Sequence, residues 1–373
     1  MEAAGRRAFH GAVGVQWRGI EPIAKGGIME ELSFASDYEE GAHPRILERL
    51  QQTNYDKTPG YGFDEICDSA REKIRAACAC PQAEVHFLIG GTQTNATVLS
   101  ALLASYEGAI AAETGHIATH EAGAVELGGH KVLALPHENG KITADQVRRL
   151  CEDYEADGSR EHIVMPGAVY LSQPTEFGTL YTLAELERMR EVCERFGLIL
   201  YVDGARLAYA LATPENDVSL ADLARLCDVF YIGGTKCGAL LGEALVAPDP
   251  WLLTHFFTVM KQRGAVLAKG RVLGIQFDEL FEDGLYERIG EPAIQTARAL
   301  RALFAERGYN VVFDSPTNQS FVVLDAATYE RLAQHVRFNV WERLDDGRVI
   351  ARFVTSWATR QEELDRLAAL LDA

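Results

Sequence analysis

From Glu84 onward the chain alternates short apolar runs with segments whose apolar residues recur at helical spacing. The runs are VHFLIG (85–90), GAIAAE (108–113), KVLALP (131–136), IVMPGAVYLS (163–172), LILYVD (198–203), VFYIGG (229–234) and EALVA (243–247). Between them lie amphipathic stretches such as TNATVLSALLAS, TADQVRRLCEDYEA and TLAELERMREVCERFG. Seven strands with helical crossovers predict an α/β fold: a mostly parallel sheet with helices on both faces. Only eight residues part the last two runs, too few for a crossover helix. That pair is expected to be antiparallel, which makes the sheet mixed at one edge.

After Trp251 the pattern changes. Long helical segments, about 251–307, precede three β-like runs, NVVF (310–313), QSFVVLD (319–325) and VIARFVTS (349–356), and then a closing helix from Arg360. The expected division is a large domain over 56–250 and a smaller α+β domain over 251–373. Residues 29–55 are expected to pack with the small domain or to wrap a neighbouring subunit. Residues 1–28 are Gly- and Ala-rich with weak periodicity, and read as a disordered extension or as lying upstream of a start at Met29.

Composition narrows the partners. A net charge of −18 repels nucleic acid and anionic membrane surfaces alike. No apolar run approaches membrane-spanning length. The seven cysteines are odd in number and form no CxxC pair, so a reducing compartment, the cytoplasm, is expected rather than a disulfide framework. Cys78 and Cys80 read as buried small hydrophobes, and no metal site is expected.

Four groups of residues sit at strand ends, where open α/β sheets bind ligands. Gly90-Gly91-Thr92 opens a helix and reads either as a phosphate cup built from free N–H groups or as a plain turn with a threonine cap. Asp203, at the end of a buried strand, needs a partner for its charge. Taken alone it pairs best with Arg206; the alternative partner is a cationic ring nitrogen of a cofactor. Lys236 lies in a small-residue turn with no acidic residue nearer along the chain than Asp228 and Glu243. It is a solvated loop lysine, a phosphate ligand, or a desolvated amine nucleophile. His116 and His120 are one helical turn apart, and His120 is the one expected at the surface. Gly123 and Ala124 exclude HExxH zinc chemistry. Together a phosphate cup, a stacking imidazole, a carboxylate for a ring nitrogen and a Schiff-base lysine are what pyridoxal phosphate requires. A nucleotide-binding oxidoreductase fits less well, since the Gly90-Gly91 turn lacks a third glycine.

Over about residues 33–370 the chain resembles the threonine aldolase and β-eliminating lyase family of fold-type-I pyridoxal-phosphate enzymes. The matching residues are ASDYEEGAHP, YGFDE, GGTQTN, HIATHEAGA, YVDGAR, GGTKCGALLGEALV and RFVTSW. The resemblance implies that Lys236 carries the cofactor as a Schiff base and that Asp203 keeps the pyridine nitrogen protonated. It implies that Gly91 and Thr92, with Gly90 shaping the turn, hold the phosphate, and that His116 stacks on the ring. Arg206 and Arg352 would meet the substrate carboxylate, with Ser36 near the substrate. Tyr61 would reach in from a partner subunit, and Lys269 or Arg271 would reach the neighbour's phosphate, so a homodimer or homotetramer is implied. Much of the family has a second histidine where this chain reads QPTEFG, which puts Glu176 about there. The implied activity is cleavage of a β-hydroxy-α-amino acid to glycine and an aldehyde. A β-eliminating lyase is the alternative.

Overall fold

A computed structural model describes residues 32–372, and the expected extension over 1–28 lies outside them. Strand β1 (Leu32–Ser33) and helix α1 (Pro44–Gln52) come first. Helix α2 (Glu65–Ala77) starts on Asp64, whose carboxylate accepts from the Cys67 N–H. Strand β2 (Glu84–Leu88) leads through Gly90 into α3 (Gly91–Leu102). Strand β3 (Glu107–Ala112) precedes the one-turn helix α4 (His116–Thr119). Then follow β4 (Val132–Leu135), β5 (Met165–Ser172), β6 (Ile199–Asp203), β7 (Val229–Gly233) and β8 (Glu243–Ala247).

These seven strands form one sheet in the order β2-β8-β7-β6-β5-β3-β4. Pairs from β7 through β4 are parallel, whereas β8 runs against both of its neighbours, β7 and β2. The antiparallel pair is as expected, but the reversed strand lies second from the edge, with β2 outside it. Side-chain alternation sorts residues to the two faces. Val169, Leu171, Leu200, Val202, Phe230 and Ile232 join one apolar cluster, while Tyr170, Tyr201 and Tyr231 join the other, beneath α3. The crossover helices Ala144–Ala156 and Leu183–Phe196 each begin with a capping box, Thr143 with Gln146 and Thr182 with Glu185.

The helical stretch after Trp251 is broken into helices at Phe256–Gln262, Arg271–Leu280 and Glu291–Glu306, with one turn at Leu285–Arg288. Gly264 and Gly284, at positive φ, punctuate it. Beyond it, β9 (Asn310–Val312), β10 (Gln319–Leu324), β11 (Val336–Arg337), β12 (Asn339–Arg343) and β13 (Val349–Val354) precede the closing helix Gln361–Leu371. The second sheet is antiparallel, ordered β12-β13-β10-β9. Its β12 has no counterpart among the expected runs. NVWER is a part-exposed edge strand ending in two charges, so it carries little apolar signal.

The amino-terminal segment threads onto this sheet. Leu32 and Ser33 pair in parallel with Val336 and Arg337, and the Phe34 carbonyl accepts from the Val354 N–H at 2.8 Å. Phe34 is fully buried among Leu300, Phe304 and Phe353. All seven cysteines are buried and free. No helix among the described residues is long and apolar enough to cross a membrane.

Candidate active site

The carboxyl ends of β5, β6 and β7, the amino end of α3 and the start of β8 open onto one cavity of about 340 Å³. Gly90, Gly91, Thr92, His116, Glu176, Asp203, Arg206 and Lys236 all line it. Residues far apart in sequence meet here because parallel strands all end at the same edge of the sheet. Gly204 is what lets β6 and β7 close up, since a Cβ there would stand 2.0 Å from the Tyr231 carbonyl oxygen.

Gly90 caps α3 with extended backbone and no side-chain hydrogen bond, so the threonine-cap reading is overturned. The first N–H groups of α3 therefore face the cavity without a capping group. At Gly91 a Cβ would approach the Tyr231 hydroxyl to 3.0 Å, so the cradle is kept narrow.

Asp203 does not pair with Arg206. Its two oxygens accept from the Tyr170 and Tyr231 hydroxyls, the Asn95 amide and the Ala205 N–H. Burial works to raise this carboxyl. The His116 imidazole nearby and the hydrogen bonds from Tyr170, Tyr231 and Ala205 outweigh that and hold it below its ordinary value. Asp203 is thus an ionised carboxylate with four donors and no guanidinium.

His116 is set by two carboxyl groups. Its Nδ1 is 2.8 Å from Glu121 Oε1, and its backbone N–H donates to Glu176 Oε1 at 2.9 Å. The Asn95 amide donates to Glu121 at 2.7 Å and to Asp203 at 3.1 Å, linking the two carboxylates. His120 lies exposed, its ring edge-on to His116 at 5.8 Å. Glu176 also accepts from the Ser172 hydroxyl at 2.7 Å, and burial raises its carboxyl above the ordinary value despite that bond.

The setting of Lys236, sparse in acids along the chain, is rich in them in space: Asp37, Asp203 and Glu243 all act on it. Burial nevertheless dominates and, with the Arg206 guanidinium, pushes the amine below its ordinary value. The Tyr209 hydroxyl donates to the Lys236 carbonyl at 2.6 Å and fixes the turn. Arg206 is held by Asp37, with Nε to Oδ2 at 2.6 Å and Nη2 to Oδ1 at 3.0 Å.

Arg352, on β13, lies outside the cavity lining, yet Arg206 and Asp37 both act on it. Burial, with Arg206, lowers it to about 10. Its Nη1 donates to Gln319 at 3.3 Å, its Nε is buried without a partner, and no carboxylate pairs with it among the described residues. Ser36 is half-buried beside Asp37 and does not line the cavity. Tyr61 and Lys269 lie elsewhere. Tyr61, at φ 62° and 44% exposed, donates its N–H to the Ala268 carbonyl, next to the exposed Lys269. Arg271 donates to the carbonyls of Asn54 and Asp56.

Asp37, Asn95, Glu121, Tyr170, Tyr209, Tyr231 and Glu243 escaped sequence reasoning. For two of the tyrosines a signal existed, because Tyr170 and Tyr231 share strand parity, and therefore a sheet face, with Tyr201.

The donor set fits pyridoxal phosphate. Uncapped N–H groups at a narrow glycine cradle suit the phosphate, the Asp203 carboxylate suits a protonated ring nitrogen, and a lysine amine pushed toward neutrality suits the aldehyde. The unpartnered Arg352 Nε suits a substrate carboxylate.

Comparison with known proteins agrees. The model of the family described as beta-eliminating lyase matches residues 34–327. A low specificity L-threonine aldolase of Pseudomonas sp. (strain NCIMB 10558) is 31% identical over 90% of this chain and 96% of its own. The protein of the same name from Pseudomonas aeruginosa is 32% identical over 90% and 95%. The solved threonine aldolase of Leishmania major superposes with a TM-score of 0.88 at 41% identity, over 91% of this chain and 98% of that one. The Thermus thermophilus aspartate aminotransferase, at 16% identity and a TM-score of 0.67, shares the fold. With the family model over most of its length and these relatives over nine-tenths of it, the chain belongs to the threonine aldolase and β-eliminating lyase family.

Proposed function

We propose that this chain is a pyridoxal-phosphate aldolase that cleaves β-hydroxy-α-amino acids, of threonine, allo-threonine or phenylserine type, to glycine and an aldehyde. One observation carries the reading: Lys236, Asp203 and the start of α3 face a single cavity, each with the polarity this cofactor needs. The names of the Pseudomonas and Leishmania relatives support the aldol reaction.

Pyridoxal phosphate, when bound, supplies a ring that takes up the electron pair released at Cα. Lys236, with its amine pushed toward neutrality by burial, is the residue that would hold that group covalently. Asp203 would keep the ring nitrogen protonated, and Gly91 and Thr92 would hold the phosphate by their N–H groups. His116, its orientation set by Glu121, would stack on the ring. Arg352 and Arg206 bind the substrate carboxylate and so align the bond to be broken. Glu176 takes the proton of the β-hydroxyl; burial raises its carboxyl above the ordinary value, which makes it a stronger base than an exposed carboxylate.

Tyr61 and Lys269 share one exposed patch away from the cavity of their own chain, which supports a homodimer or homotetramer whose subunits complete each other's sites. Seven free, buried cysteines support a reducing compartment, the cytoplasm.

The test is a substrate panel of L-threonine, L-allo-threonine, their D forms and phenylserine, assayed for glycine, with serine and cysteine derivatives assayed for pyruvate and ammonia. Glycine release is the expected result. Pyruvate and ammonia without glycine would move the assignment to β-elimination, and a protein that binds no pyridoxal phosphate would sink both.

A further inference from the structure

Glu243 has no part in the reaction just described, and yet it stands in the cavity wall with Gly90, Gly91, Thr92, Thr235 and Lys236. It is the first residue of β8. Because β8 runs against its neighbours, its beginning falls at the edge where the other strands end. In register it pairs with Leu88, and β2 turns into the Gly90 cradle directly afterwards. The residue is 3% exposed. Its Oε2 accepts from the Gly234 N–H at 3.0 Å, and its Oε1 lies 2.8 Å from Thr235 Oγ1. No ion pair reaches it among the described residues. A buried carboxylate with no ion-pair contact, beside a cradle for a phosphate, sets two negative charges against each other in a poorly solvated place.

We propose that Glu243 sits in the holoenzyme as a neutral carboxylic acid that donates its proton to Thr235 Oγ1, and thereby turns the Thr235 hydroxyl toward the cofactor phosphate. This rests on the pyridoxal-phosphate reading above. The polarity of the chain of hydrogen bonds decides the matter. Thr235 Oγ1 already accepts from the Gly242 N–H at 3.0 Å, and its other acceptor choice, the Gly242 carbonyl, is a long 3.5 Å away. With Glu243 protonated, both lone pairs of Thr235 are taken and its hydrogen is free for the phosphate. With Glu243 ionised, the carboxylate takes that hydrogen and adds a charge, so both changes weaken phosphate binding.

The groups acting on Glu243 come from every side: Lys236 and Cys237 from the turn, Asp203 and Tyr201 from β6, Tyr231 from β7, and Tyr286 from the helix Leu285–Arg288. Burial pushes Glu243 up to about 8, against the Thr235 hydrogen bond and the Lys236 charge. Phosphate-dependent affinity therefore falls as the pH rises through this region.

The experiment titrates cofactor-free protein with pyridoxal phosphate and, separately, with pyridoxal, following intrinsic fluorescence between about pH 7 and about pH 9. For wild type, the Kd for pyridoxal phosphate is expected to rise about tenfold over this range beyond any change for pyridoxal. In Glu243→Gln, whose amide can donate to Thr235 at every pH, that difference disappears. In Thr235→Val, binding of pyridoxal phosphate is weaker throughout and the difference shrinks to the part set by the Glu243 charge. A Glu243→Gln protein that keeps the wild-type difference overturns the proposal, as does a wild type whose pyridoxal and pyridoxal-phosphate curves move together. A wild type that binds neither compound at any pH overturns the cofactor reading as well.

Discussion

Arg206 and Asp37 form a two-pronged ion pair across 169 positions of sequence, with the Asp37 side chain fully buried and that of Arg206 13% exposed. Burial works to raise Asp37. The Arg206 guanidinium outweighs it, with help from Lys236 and from hydrogen bonds of Arg206 and Asn318, and the carboxyl lies below its ordinary 3.8. A depressed carboxyl contributes stability above its unfolded value and loses it as the pH falls through the folded one. Asp37→Asn leaves Arg206 buried without its counter-charge. The expected cost is about 3–5 kcal/mol, read as a lower urea midpoint at neutral pH, and the acid-side loss of stability below about pH 3.8 should shrink.

Glu121 orients His116 and shares the Asn95 amide with Asp203. Glu121→Gln keeps the size but removes the charge and puts a donor in place of one of the two oxygens, so the bond that fixes the His116 ring is weakened. The expected effect is a fall in kcat of about tenfold with a weaker visible circular dichroism of the bound cofactor. Unchanged dichroism would count against a positioning role.

Glu176 is a buried carboxyl with a raised value. As a base it works only when ionised, so kcat/KM is expected to rise with pH through a value above its ordinary 4.5. Glu176→Gln should remove this acid limb and lower kcat/KM by about 10²–10⁴-fold. A pH profile that keeps the limb in the variant assigns it to another group.

Arg352 carries an unpartnered buried Nε, and no carboxylate among the described residues pairs with it. Arg352→Lys retains a charge but loses the planar fork. KM should rise by about 10–100-fold with a smaller change in kcat, as expected for a group that binds the substrate carboxylate. Equal losses in both constants would place its role elsewhere.

Much of this site is legible in the chain because its parts are local. Lys236, Asp203 and Gly90–Thr92 each follow a buried apolar run, and strand ends in a parallel sheet converge by geometry alone. What escapes is made by distance. Asp203 sits three residues from Arg206, and proximity in sequence suggests an ion pair. The fold instead assigns Arg206 to Asp37 and Asp203 to two tyrosines, a choice set by side-chain direction rather than spacing. Glu243 stood in the quoted motif all along as the acid nearest to Lys236, but its role depends on β8 being reversed and on β2 closing beside it. Strand β12 was hidden because an edge strand with charged ends has no apolar run to announce it.

Asp37 also accepts from the Asn318 amide, 281 positions later. On the ribosome, Lys236 and Asp203 emerge well before Asn318, and the segment carrying Asp37 waits through most of synthesis for the residues that hold it. A chain interrupted between them carries Lys236 without the Asn318 amide that holds Asp37. The lowered amine of Lys236 is thus a property of the completed fold, since burial is what lowers it and Asp37, one of the charges around it, is fixed by Asn318.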